Sequence, residues 1–72
     1  MKELEARLSL AIRYIADAEA IVERQRERVA ELTIEGCPTR DAENMLDMFI
    51  GTLDILHDHA QRLREELGSS RT

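Results

Sequence analysis

One cysteine in 72 residues excludes an internal disulfide and fits a reducing compartment. One proline and three glycines leave little punctuation, so long regular elements are expected. No long apolar run is present: the longest uncharged stretch in the second half, MFIGTL at 48–53, is far too short to span a bilayer. The opening MKELEAR is charged, so no signal peptide is expected. Basic excess is absent as well. A net charge of −5 argues against nucleic acid, because neutralising phosphates requires a basic face.

What remains is a chain with 35% charged and 43% hydrophobic residues, both signs of charge being interspersed. That balance favours a folded, exposed helical protein over disorder. A chain this short forms one domain at most, and a core of that size commonly needs a staple or a second subunit.

Only IEGCPTRDAE, at 34–43, reads as a strong break. Gly36 suits the left-handed residue just past a helix end, and Pro38 cannot continue that helix. Thr39 can cap a following helix through its hydroxyl, with Asp41 in its first turn. The fold expected is all-α, an antiparallel two-helix hairpin spanning residues 1–72. Its first helix runs over about 3–35, its loop over 36–39, its second helix over about 40–67, and a frayed tail over 68–72.

Both helices carry a seam with spacings of four and three, the coiled-coil period. The first is Leu4, Leu8, Ala11, Ile15, Ala18, Val22, Gln25, Val29 and Leu32. The second is Ala42, Leu46, Phe49, Leu53, Leu56, Ala60, Leu63 and Leu67. A short loop makes the helices antiparallel neighbours. Folding about residue 37 then sets Val29 near Leu46, Val22 near Leu53, Ala18 near Leu56, Ile15 near Ala60 and Ala11 near Leu63, so that small residues face large ones. Gln25, near Phe49, is the polar exception; it either sets the register or reaches out to the edge.

The segment MLDMFIGTLDIL, at 45–56, is apolar at 45, 46, 48, 49, 50, 53, 55 and 56, more than one stripe can hold. The two flanks of the seam explain the excess. One gathers Glu5, Ile12, Glu19 and Arg26 with Ile50, His57 and Arg64, and is mostly charged. The other sets Tyr14 and Ile21 beside Met45, Thr52 and His59, with Leu10, Met48 and Ile55 just outside. Contiguous apolar surface of this kind marks an interaction site. The most economical cover is a second copy, giving a homodimeric four-helix bundle. The competing reading is an adaptor whose adaptable Met45, Met48 and Ile55 take a helix of an unidentified protein.

No residue pattern carries catalysis or a cofactor, so a non-enzymatic interaction or regulatory module is expected. DILHDHA holds Asp54, His57, Asp58 and His59, but the two imidazoles project about 160° apart on one helix and cannot share a metal. Cys37 has no acid–base partner nearby in sequence. His59 lies level with Tyr14; it reads as a half-exposed histidine at a dimer edge or, where a partner buries it, as a group that makes assembly sensitive to acid. Glu19, Glu23, Glu27 and Glu31, with Arg24 and Arg28 alongside, read as a solvated face supported by pairs of opposite charge.

Ile21, Arg24-Gln25-Arg26, Val29, Leu32, Gly36, Thr39, Ala42-Glu43, Leu46, Phe49, Leu53, His57, Arg62-Leu63 and Leu67 together resemble a family of short, uncharacterised bacterial two-helix proteins of alphaproteobacterial type. The resemblance covers about residues 19–67, most specifically the Gly-x-x-Thr-x-x-Ala-Glu turn. It implies the hairpin fold and a bacterial cytoplasm, and no activity. Cys37-Pro38 departs from the more polar loop expected of that family.

Overall fold

The computed structural model describes residues 2–70, and of Ser70 the backbone alone. Two helices account for nearly all of it: α1, Lys2–Ile34, and α2, Arg40–Ser70. They pack on each other as a hairpin 56 × 14 × 13 Å. That length is close to the roughly 50 Å expected of a 33-residue helix at 1.5 Å per residue.

The turn is built by backbone hydrogen bonds. Gly36 has φ of +73°, the left-handed conformation. Its N–H donates to the carbonyl of Thr33 at 3.1 Å, and the N–H of Cys37 donates to Leu32 at 2.9 Å. These two bonds make a Schellman motif, which satisfies carbonyls left over at the end of α1. The second helix opens with the carbonyl of Thr39 accepting from the N–H of Glu43 at 2.8 Å. Thr39 therefore stands at the N-cap, but its hydroxyl makes no hydrogen bond among the described residues. Here the expectation of a side-chain cap fails: the residue is half-buried and acts through its carbonyl. Asp41 and Glu43 lie in the first turn of α2, where negative charge is favoured by the helix dipole.

The second helix also runs further than its sequence indicated. The tail expected to fray from residue 68 is helical through Ser70, while Arg71 and Thr72 lie outside the described residues. Leu67 explains the extension. It is buried at 7% exposure and docks the last turns onto the seam, which offsets the poor helix propensity of Gly68.

Every residue of the expected seam is buried or half-buried. Outside it, only Thr39 and Ile50 are shielded among the described residues, both partly. The buried core is Ala11, Ile15 and Val22 from α1 with Ala60, Leu63 and Leu67 from α2. Ala11, Ile15, Ala60 and Leu63 form one cluster, with Leu4, Leu8, Leu53 and Leu56 packed against it. Small and large side chains thus interdigitate, and the tightest packing lies toward the open end of the hairpin. Nearer the loop, Gln25, Val29, Leu32, Ala42, Leu46 and Phe49 are only half-buried.

Gln25 has a defined partner in this looser half. Its Nε2 donates to the carbonyl oxygen of Ala42 at 2.9 Å, in a part-buried position. The amide therefore ties α1 to the first turns of α2, nearer the loop than Phe49, and does not merely reach for water. A carbonyl oxygen has two lone pairs, so this bond can be added without displacing a helical one.

Two substitutions separate backbone conformation from space at the glycines. No atom lies within 4 Å of a Cβ built on Gly36 or Gly51. Gly36→Val nevertheless forces a β-branched residue into the left-handed region and should destabilise by about 1–2 kcal/mol. Gly51→Ala, within α2, should stabilise by about 0.5–1 kcal/mol. Cys37→Ser should be close to neutral. Thermal melts followed by circular dichroism check the order. The bond to Ala42 predicts a third effect. Gln25→Glu sets a carboxylate against a carbonyl and should cost about 1–3 kcal/mol at pH 7. Near pH 4 the carboxyl takes up a proton and can donate, so the deficit should shrink; melts at both pH values measure it.

Candidate interaction face

The helices meet along one line, and the residues beside that line form two unlike flanks. On the apolar flank Leu10 is 45% exposed, Tyr14 51%, Ile21 36%, Met45 49%, Met48 71% and Ile55 69%. Thr52 and His59 are exposed as well. The hydroxyl of Thr52 donates back to the carbonyl of Met48 at 3.1 Å. This bond occupies the residue's polar group within its own helix, the usual recourse of a mid-helix threonine. Leu10 and Tyr14 lie in the half of α1 nearer the open end, and Met45 and Met48 in the half of α2 nearer the loop, so the patch runs obliquely across the face.

Two shallow grooves lie on this flank, the first between the two helices and the second along α2 alone. One, of ≈ 290 Å³, is lined by Arg7, Leu10, Ala11, Tyr14, Leu56 and His59. The other, of ≈ 350 Å³, is lined by Ile55, Leu56, Asp58, His59 and Arg62. Leu10, Tyr14 and His59 are thus brought to one place from two helices, and Ile55 joins His59 beside it. Ile21, Met45, Met48 and Thr52 lie outside both grooves.

Arg7 and Arg62 went unrecognised as part of this face. The signal was present in the spacing: Arg7 stands seven residues before Tyr14 and Arg62 seven after Ile55, which puts each on its neighbour's helical face. Charge also bounds the flank along α1. Arg7 pairs with Glu3 at 2.7 Å, and Arg28 with Glu31 at 3.6 Å. The first pair lies before Leu10 and the second after Ile21. An apolar centre between charged ends is the arrangement of protein interfaces.

The opposite flank is charged but carries Ile12, 48% exposed. Glu19 and His57, expected level with each other, are both exposed and form no ion pair among the described residues. His57 is not among the residues lining the grooves that hold His59. Among the described residues no three of His, Cys, Asp and Glu come close enough to hold a metal ion. Cys37 is exposed in the loop, its thiol 3.8 Å from an oxygen of the Glu35 carboxylate. No helix among the described residues is long and apolar enough to cross a membrane. Protein-family models, curated proteins and solved structures provide no match to the chain.

The contrast between flanks predicts a small effect on the charged side. Glu19→Lys should change stability by well under about 1 kcal/mol, the scale of exposed charges, and should leave the sedimentation coefficient unaltered. Loss of the fold or of assembly would place the contact surface on this flank instead.

Proposed function

We propose that this protein is a non-enzymatic interaction or regulatory module that self-associates, two hairpins packing their apolar flanks together into a four-helix bundle. The observation that carries the reading is the position of Met48 and Ile55. They are about 70% exposed in the middle of a helix and off the seam that folds the hairpin. The more exposed Ile34 is simply the last residue of α1. Nothing within one hairpin calls for two large apolar side chains there, whereas a facing surface does.

Dimensions support a second copy as that surface. A face of 56 × 14 Å offers on the order of 800 Å² per partner, which is what each side of a standard stable interface contributes. The hairpin gains from the arrangement, because among the described residues its buried core is limited to six side chains and small cores are marginal without additional burial. Cys37, an exposed free thiol, suits a reducing compartment such as the cytoplasm.

A second reading draws on the groove lined by Leu10, Tyr14 and His59. One helix of a different protein could lie there, making the chain a small adaptor. Light scattering at micromolar concentration separates the two: a dimer supports self-association, and a folded monomer favours the adaptor.

Burying one side chain of this size contributes on the order of 1.5–3 kcal/mol, and in a two-fold pair each substitution acts twice. Aspartate would also introduce two carboxylates into an apolar contact. Met48→Asp and Ile55→Asp should each dissociate the pair and leave a poorly folded hairpin. Arg13→Asp, on the exposed outer face of α1, should have no effect on assembly. Sedimentation velocity and circular dichroism decide it; a folded dimer that tolerates aspartate at position 55 would overturn the four-helix reading.

A further inference from the structure

We propose that His59 makes self-association sensitive to acid, protonation of its imidazole driving the two copies apart. This inference rests on the self-associating reading above and adds a control element to the same face. Its basis is geometric. His59 lines both grooves of the apolar flank, so a copy packed over either one covers the imidazole.

The charged and titratable groups around it are few. From α1 they are Tyr14 and Arg7, the latter paired with Glu3, and from α2 they are Asp58 and Arg62. Asp17 lies further along α1 on the same side, and a second copy brings the same set again. A neutral imidazole offers one donor and one acceptor and is tolerated beside a tyrosine hydroxyl. Its protonated form adds a positive charge to a face where Arg7 already holds Glu3 as its own partner and where Asp58, beside Arg62, lines only the groove along α2.

In the separate hairpin His59 is exposed, and water solvates that charge. Packing removes the water, and an ion taken out of water without a dedicated partner is costly. The separated hairpins therefore take up protons more readily than the associated pair. Linkage fixes the sign: the form that binds more protons is favoured as pH falls. Association is strong above the histidine range and weakens as pH drops through it, roughly between pH 8 and 5. A two-fold pair carries two such groups, which steepens the dependence.

Sedimentation velocity of the full chain at pH 8.0 and pH 5.5 tests this, with helix content followed by circular dichroism. The dissociation constant should rise roughly tenfold or more at pH 5.5. His59→Gln should associate equally at both pH values, and His59→Lys should be dissociated already at pH 8.0. His57→Gln should behave as the unsubstituted chain does. Acid sensitivity that persists in His59→Gln, a wild-type dimer indifferent to pH, or a His59→Gln that fails to associate at pH 8.0 would overturn the role of His59 while leaving self-association standing. A wild-type chain that is monomeric at pH 8.0 would overturn both.

Discussion

Two helices touch along a single line, and most features of this molecule follow from that constraint. Each helix can bury only a narrow stripe, and the remainder of its surface faces outward whatever its chemistry. Alternation of four and three along the seam keeps that stripe in register with its counterpart over the whole length of the hairpin. Among the described residues the lowest exposures on the seam are those of Ala11 and Ala60, with Ile15, Val22, Leu63 and Leu67 also buried. Toward the loop, bulkier Phe49 and polar Gln25 remain half-buried, and the hydrogen bond from the Gln25 amide to the Ala42 carbonyl contributes direction where apolar packing is thinner.

The turn converts this line of contact into a single molecule. Two backbone hydrogen bonds around Gly36 close α1, and Pro38 follows where no helical N–H is needed. Cys37, between these two residues, takes part in that closure through its backbone N–H, and its thiol stays exposed. The start of α2 similarly relies on the carbonyl of Thr39 and on acidic residues in its first turn, with its hydroxyl taking no part.

A narrow stripe also leaves apolar residues behind. Those left over here are not scattered: most gather on one flank, between the Glu3–Arg7 and Arg28–Glu31 pairs. Thr52 turns its hydroxyl to its own helix, which reduces the polarity of the middle of that flank. The side chains that hold the hairpin and those left exposed on the flank are adjacent but separate sets, and Leu56, which packs against the core and lines both grooves, belongs to both.

The sequence alone determined the helices, the turn, the seam and the division into flanks, because each is a consequence of local chemistry or of helical period. Gly36 with Pro38 permits a turn and little else, and a spacing of four and three selects one face of a helix before any partner is known. Tertiary structure decided what depends on reach and on competition between neighbours. A glutamine in a seam does not announce which carbonyl it will find, and Gln25 reaches Ala42 because an antiparallel α2 passes within the span of its side chain. Thr39 could have capped α2 through its hydroxyl, and Gly68 could have ended it. The hydroxyl of Thr39 makes no hydrogen bond among the described residues, and α2 continues past Gly68 with Leu67 docked on α1. Arg7 joined Leu56 and His59 of α2 only once two helices were laid side by side, since the groove they line is a property of the space between them.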